Sequence, residues 1–378
     1  MKKFLVFLLL VGCTSSESTH REINSHSIVE IKVDVDTSNF FPWKDVVDHI
    51  TPIQLETNAD CLISYVSKLI VMNDRIYIFD KRQQELFIFH NNGRFEKKLN
   101  KQGGGPGEYR EMRDIQIDAN GNIWVLDYNS IKEYSQNFDL KDEIRFSYTD
   151  KRDLYVNAMQ FVVFENSYVL WSGGAEIMKN SDYRQHNMYR INKKGQIIDS
   201  YFPVNIKTVG NPVFFKFGDT YIMRPWDFRD RTVYELTADS VRTKYRVEYL
   251  SGNMPENFIK PSLLDAFEFN RVLSETSYAI GIEDVIEGDE FVYFTFFQGD
   301  RIRSVLYDKI TGSSRVGKVH LSNFAPPYVQ YASDDNFYGT IEAGEYVSLE
   351  LGENTIPKIE NVNSDDNPIV FLYGFKRF

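Results

Sequence analysis

The stretch Leu69-Ile70-Val71-Met72-Asn73-Asp74-Arg75-Ile76-Tyr77-Ile78-Phe79-Asp80 decides the fold. Two apolar runs flank a short polar turn. The runs are rich in β-branched and aromatic residues, which suit a pleated, half-buried surface. Asn73 and Asp74 tolerate the left-handed backbone of a tight hairpin. Residues 86–90, the turn Asn91-Asn92-Gly93 and residues 95–99 then add a third and a fourth strand. One sheet of four antiparallel strands results, with unpaired edges that it cannot protect alone.

The same hairpin recurs five times. Its polar turns are Asn120-Gly121-Asn122, Glu165-Asn166-Ser167, Gly218-Asp219-Thr220, Gly288-Asp289-Glu290 and Asp334-Asp335-Asn336. Each runs into a strand that opens on Ile123, Tyr168, Tyr221, Phe291 or Phe337. Counted from Ile76, these anchors are spaced 47, 45, 53, 70 and 46 residues apart. A four-stranded propeller blade with its loops has this length. The repeat therefore predicts an all-β fold, a six-bladed β-propeller of four-stranded antiparallel blades over residues 28–378. Closing the ring needs a strand from each end of the chain. Residues 28–35 or 53–55 could supply one, and residues 369–373 the other.

Composition agrees with this reading. The 378 residues are 42% hydrophobic and 15% aromatic, which excludes a disordered chain. A formal charge of −11 argues against a nucleic-acid partner, since phosphate binding needs clustered Lys and Arg. Residues 1–12 read as a signal peptide: Lys2 and Lys3 precede an eight-residue apolar run, too short to span a bilayer. Leu10-Val11-Gly12-Cys13 resembles a bacterial lipobox, so Cys13 is the expected lipidation site. Ser-rich residues 13–27 then form a flexible tether to the membrane. Cys61, the other cysteine, lies in an apolar context and reads as a buried small hydrophobe.

Several of these segments together carry a family resemblance. The lipobox, the Ile76-Tyr77-Ile78-Phe79-Asp80 strand, residues 87–93, the loop Gly103-Gly104-Gly105-Pro106-Gly107-Glu108-Tyr109 and Asn367-Pro368-Ile369-Val370 resemble Bacteroidetes six-bladed β-propeller lipoproteins, an NHL-like family of unknown function. The resemblance implies the propeller fold and a cell-envelope location; with the lipid anchor, the outer membrane is the expected site. It implies no catalytic residues. The Gly-rich loop lacks the Lys-Ser/Thr pair of a P-loop, so its glycines read as a tight path around a packed Tyr109.

In a propeller the short first-to-second turns lie on one face, here the bottom, and the blade-to-blade links lie on the top. The long segments 101–112, 172–187, 224–232 and 251–277 all fall on top; within the last, residues 262–269 fit one or two helical turns. Loops elaborated on one face of a rigid scaffold suggest a binding surface. Trp171, Tyr183, Arg184, His186, Arg224, Trp226, Asp227 and Arg229, with Glu108 and Tyr109 of the Gly-rich loop, are the candidate ligand-binding residues. Trp beside Arg or Asp suits sugar stacking or a carboxylate ligand.

The expected function is an envelope lipoprotein that binds a glycan, a peptide or an envelope protein without catalysis and without a cofactor. The alternative is a lactonase-like hydrolase or lyase with Ca²⁺ in the central channel. Asp114, Asn157, Asn211 and Glu283, near the tops of inner strands, are its candidate ligands, because Ca²⁺ gathers six to eight oxygens. A third reading is a scaffold whose loops only pack on one another.

Overall fold

The computed structural model describes residues 28–36, 39–146, 157–172, 186–203, 214–224, 230–255, 275–299, 301–318, 329–349 and 357–378. Strand β1 (Val29–Val33), the short helix α1 (Trp43–Val46) and β2 (Val47–Gln54) precede the repeats. Blade one comprises β3 (Lys68–Met72), β4 (Arg75–Asp80), β5 (Glu85–His90) and β6 (Phe95–Leu99). Blade two comprises β7 (Asp114–Ile117), β8 (Ile123–Leu126), β9 (Ser130–Tyr134) and β10 (Leu140–Arg145). Blade three comprises β11 (Gln160–Val163), β12 (Ser167–Trp171), β13 (His186–Asn192) and β14 (Ile197–Pro203). Blade four comprises β15 (Phe214–Phe217), β16 (Thr220–Met223), β17 (Thr232–Leu236) and β18 (Val241–Tyr249). Blade five comprises β19 (Ala279–Glu287), β20 (Phe291–Gln298), β21 (Arg301–Asp308) and β22 (Ser314–Lys318). Blade six comprises β23 (Val329–Ser333), β24 (Asn336–Ile341) and, after helix α2 (Ala343–Ser348), β25 (Ile369–Phe375). The six sheets form a ring, a six-bladed β-propeller.

Each blade is an antiparallel meander whose first strand faces the axis. Blade six takes its fourth strand from the other end of the chain: β2 pairs antiparallel with β25, Ile50 opposite Tyr373 and Gln54 opposite Ile369. Closure therefore uses the second of the two expected N-terminal segments, extended backwards to Val47. The first segment does something else. It forms β1, a fifth strand lying parallel to β18 on the outer edge of blade four, with Ile31 and Val33 fully buried. That strand covers an edge which would otherwise offer unpaired N–H and C=O groups.

The core sits between blades rather than within them, because a single sheet has two faces to cover. Ile78, Phe87 and Phe89 of blade one share a cluster with Ile115 and Val125 of blade two. Trp124 and Leu126 of blade two meet Phe161 and Tyr168 of blade three in the next. The turn chemistry is as the sequence predicts. Asn73 and Asp74 both adopt positive φ, 53° and 57°, as a two-residue hairpin of matching twist requires.

Candidate functional site

The six innermost strands β3, β7, β11, β15, β19 and β23 surround an axial cavity of about 460 Å³. All six contribute to its wall, through Leu69, Gln116, Gln160, Phe215, Asp284 and Gln330 among others. At the top end Tyr65, Lys81 and Arg113 line it, placing its mouth among the blade-to-blade links. A second cavity of about 430 Å³ lies below, bounded by Asp118, Glu165 and Asp219 in the bottom turns and by Trp124 and Tyr221. Gln116, Ile117 and Lys216 line both, so they mark the passage between the two.

The cavity wall is more cationic than the chain as a whole. Lys68, Lys81, Arg113 and Lys216 face it, against Asp114 and Asp284. Two of the cations are committed. Lys68 Nζ donates to Asp114 Oδ1 and to the Ile115 carbonyl, both at 2.8 Å. Arg113 donates to Glu111 at 2.9 Å, to Asn157 Oδ1 at 2.6 Å and to the Ala158 carbonyl at 3.1 Å. Lys81 and Lys216 have no side-chain hydrogen bond or ion pair among the described residues. Burial pushes the Lys216 amine below its ordinary range, while the charges of Asp118 and Asp219 pull it back up.

Asp284 reaches the wall through an irregular strand. The β19–β20 register shifts on both sides of Glu283, and Asp284 itself has a φ of 43°. Bulges of this kind re-aim a side chain. Thr295 Oγ1 donates to Asp284 Oδ2 at 3.4 Å. Burial raises the Asp284 carboxyl above the usual range, against the pull of the Arg224 charge. Nearby, Gln160 Oε1 is buried and accepts no hydrogen bond among the described residues.

The residues expected from sequence go to other places. Trp171 is a correction: it ends β12 with no exposed surface and fills the core between blades three and four, so its ring has no face to offer a ligand. Tyr109 is likewise fully buried, and it does pack as the loop reading anticipated. Its hydroxyl donates to the Gln84 carbonyl at 2.7 Å and accepts from Lys101 N at 3.0 Å; burial pushes its pKa up to about 12. Glu108 is exposed but turned inward on its own loop, where Oε2 accepts the Gly105 amide at 2.7 Å. That carboxylate stands where a bound anion would have to sit. Arg224 binds Glu283 at 2.7 Å. Tyr183, Arg184, Trp226, Asp227, Arg229, Asn211 and Cys13, with the helical turn in 262–269, lie outside the described residues.

The three described calcium candidates, Asp114, Asn157 and Glu283, are each tied to a cation. Asp114 gives one oxygen to Lys68 and the other to the Phe161 amide at 3.2 Å. Asn157 Oδ1 accepts from Arg113, and Glu283 is held by Arg224. Asp114, Asn157 and Glu283 thus each already have a cation for a partner. Burial raises the Glu283 carboxyl, with Arg224 opposing.

Sequence reasoning missed Lys68 and Lys216. A signal was present for Lys216, which interrupts Phe214-Phe215-Lys216-Phe217. A lone lysine inside an aromatic inner strand is costly to bury unless its ammonium meets an opening or a partner.

Two solved structures share this arrangement over nearly their full lengths. One is a Bacteroides fragilis protein assigned as exported, with a TM-score of 0.74, 16% identity, and coverage of 93% of this chain and 100% of that one. The other is a DUF4221 family member from Bacteroides vulgatus, with a TM-score of 0.53, 11% identity, and coverage of 88% and 98%. Likeness at such identities speaks for the fold alone. No curated protein matches the sequence. Residues 26–374, the whole propeller, match the family described as a domain of unknown function, DUF4934, and the chain belongs to that family.

Proposed function

We propose that the protein is a lipid-anchored envelope protein whose propeller binds a small ligand in its axial channel without converting it. The observation that carries this reading is the 460 Å³ cavity, built by all six inner strands and open towards the linker face. Small-molecule sites commonly have this size and a largely apolar wall with a few placed polar groups. The wall here combines Leu69, Ile70, Phe214 and Val329 with two uncommitted lysines. The site of the reading thus moves from the loop rim onto the axis.

The lipobox-like residues 10–13 and the Ser-rich segment after them support an anchor at Cys13 on the outer membrane. The exported assignment of the Bacteroides fragilis neighbour is in keeping with an envelope location. The anchor is tested by labelled-palmitate incorporation, which Cys13→Ala should abolish. Incorporation in that variant would remove the anchor from the account.

Binding is tested by thermal shift with a panel of neutral sugars, sugar acids, aliphatic carboxylates, amino acids and short peptides. A ligand at 100 times its Kd stabilises the native state by ~2.7 kcal/mol. At least one class should raise the melting temperature, and the plugging variant Gln330→Trp should lose the rise. A panel without effect, or a rise that survives the plug, rejects the channel as the site.

A further inference from the structure

The polarity of the channel narrows what it can hold, and this inference rests on the channel-binding reading above. Lys216 sits at the junction of the two cavities, on the innermost strand of blade four. It is half-buried, and no carboxylate among the described residues lies within ion-pair distance of it. Asp118 and Asp219 act on it only from beyond ion-pair distance, so its ammonium is incompletely compensated, and an anionic ligand in contact with it would lower that cost. Below Lys216 the wall is acidic, with Asp118, Glu165 and Asp219. Above it Lys68 is paired with Asp114 and Arg113 with Glu111, and the rim cation Lys81 stands against Asp284, whose carboxyl burial biases towards the neutral form. An anion is therefore admitted from the top and stopped at Lys216 by the carboxylates beneath.

The upper cavity above Lys216 offers acceptors. Among the described residues, Gln160 Oε1 is buried without a donor, and Asp284 accepts a long hydrogen bond from Thr295. Ligand hydroxyls would supply the missing donors. A single ammonium matches a singly charged carboxylate. A phosphate dianion would call for an Arg fork or several converging donors, whereas Arg113 is already bound to Glu111 and Asn157. We propose that the channel binds a small hydroxylated carboxylic acid of the kind of a hexuronic acid, with Lys216 as counter-ion to the carboxylate and Asp284 and Gln160 as partners of its hydroxyls.

Isothermal titration with three probes tests this: D-glucuronate, D-glucose and cyclohexanecarboxylate. The first has both the charge and the hydroxyls, and each of the others lacks one. Glucuronate should bind at least tenfold more tightly than either. Lys216→Met should weaken it tenfold or more, and Lys216→Arg should restore most of the affinity. Because Lys216→Met deletes an ammonium without a partner, the variant should melt at or above the temperature of the native chain. A lower melting point would assign Lys216 a structural pairing and overturn the proposal. So would equal binding of glucose or cyclohexanecarboxylate, or indifference to Lys216→Met. If glucuronate fails while another panel compound binds in a Gln330→Trp-sensitive way, the acid assignment falls and the channel stands. If no panel compound binds, both fall.

Discussion

Gly93 lies directly against the backbone of Gln54: a Cβ on Gly93 would sit 2.0 Å from the Gln54 carbonyl oxygen. Gly93 belongs to the third-to-fourth turn of blade one, and Gln54 ends the outer strand of blade six, where the ring closes. The contact is reinforced by the Glu56 amide, which donates to the Gly93 carbonyl at 2.8 Å. The same device recurs between blades two and three, where a Cβ on Gly195 would lie 1.9 Å from the Arg145 carbonyl oxygen. Both glycines have positive φ, 85° and 72°. Each turn thus presses against the outer strand of the preceding blade at a distance only glycine permits.

Gly93→Ala and Gly195→Ala should each destabilise the chain by at least ~2 kcal/mol, since left-handed strain alone costs 1–2 kcal/mol and the overlap adds to it. Chemical denaturation measures this. A loss under ~0.5 kcal/mol, the range of ordinary surface substitutions, would show that the blades do not press together here.

Asp114 stitches three blades: it accepts from Lys68 of blade one and from the Phe161 amide of blade three. Asp114→Ala strands a lysine and an amide, so a loss of ~3 kcal/mol or more is expected, as for one half of a buried pair. Adding Lys68→Met should recover part of it. A cost of Lys68→Met that is the same alone and on the Asp114→Ala background would show that the pair is uncoupled.

Asp80 closes the second strand of blade one and accepts the amides of Ser64, Tyr65, Arg82 and Gln83. Burial alone would raise its pKa, but hydrogen bonds from Gln83 and Ser64 outweigh it and hold the carboxyl below its ordinary 3.8. Its contribution is therefore complete above pH 3.8 and is lost as pH falls through the lower folded value. Asp80→Asn should lower stability at neutral pH and flatten the acid limb of a stability–pH curve. Asp284 has the opposite sign: its raised pKa favours the protonated form, so its contribution is lost as pH rises. Asp284→Asn should accordingly not lower the melting temperature at pH 7. A parallel response of the two variants would contradict these environments.

Cys61 is fully buried, its Sγ lies 3.1 Å from the Glu56 carbonyl, and burial pushes its thiol up. It should react with a thiol reagent only after unfolding. Rapid modification of the native chain would show that this segment opens.

The ring was legible because each blade announces itself locally. Asn73-Asp74 fixes a two-residue turn, and Ile76 to Phe79 fix a strand within a dozen residues. What was not legible depends on contacts between distant parts of the chain. Lys68 and Asp114 are 46 residues apart, and nothing around either says that they pair across two blades. Strand β1 joins blade four in parallel, and a parallel edge strand has no hairpin turn to mark it. Trp171 looked like a rim aromatic because it closes a strand. It is paired with Gln160 on one side and Met188 on the other, and its ring packs into the core between blades three and four. The axial cavity has no sequence motif, since each inner strand contributes only a few residues to it.

What occupies the axis decides the function. A crystal structure of the chain with the panel compound that most raises its melting temperature tests this most directly. Ligand density should lie inside the ring, with an anionic group within ~3 Å of Lys216 Nζ, the reach of a charge-assisted hydrogen bond. Density on the outer edge of a blade, with the axis filled by water alone, would contradict it.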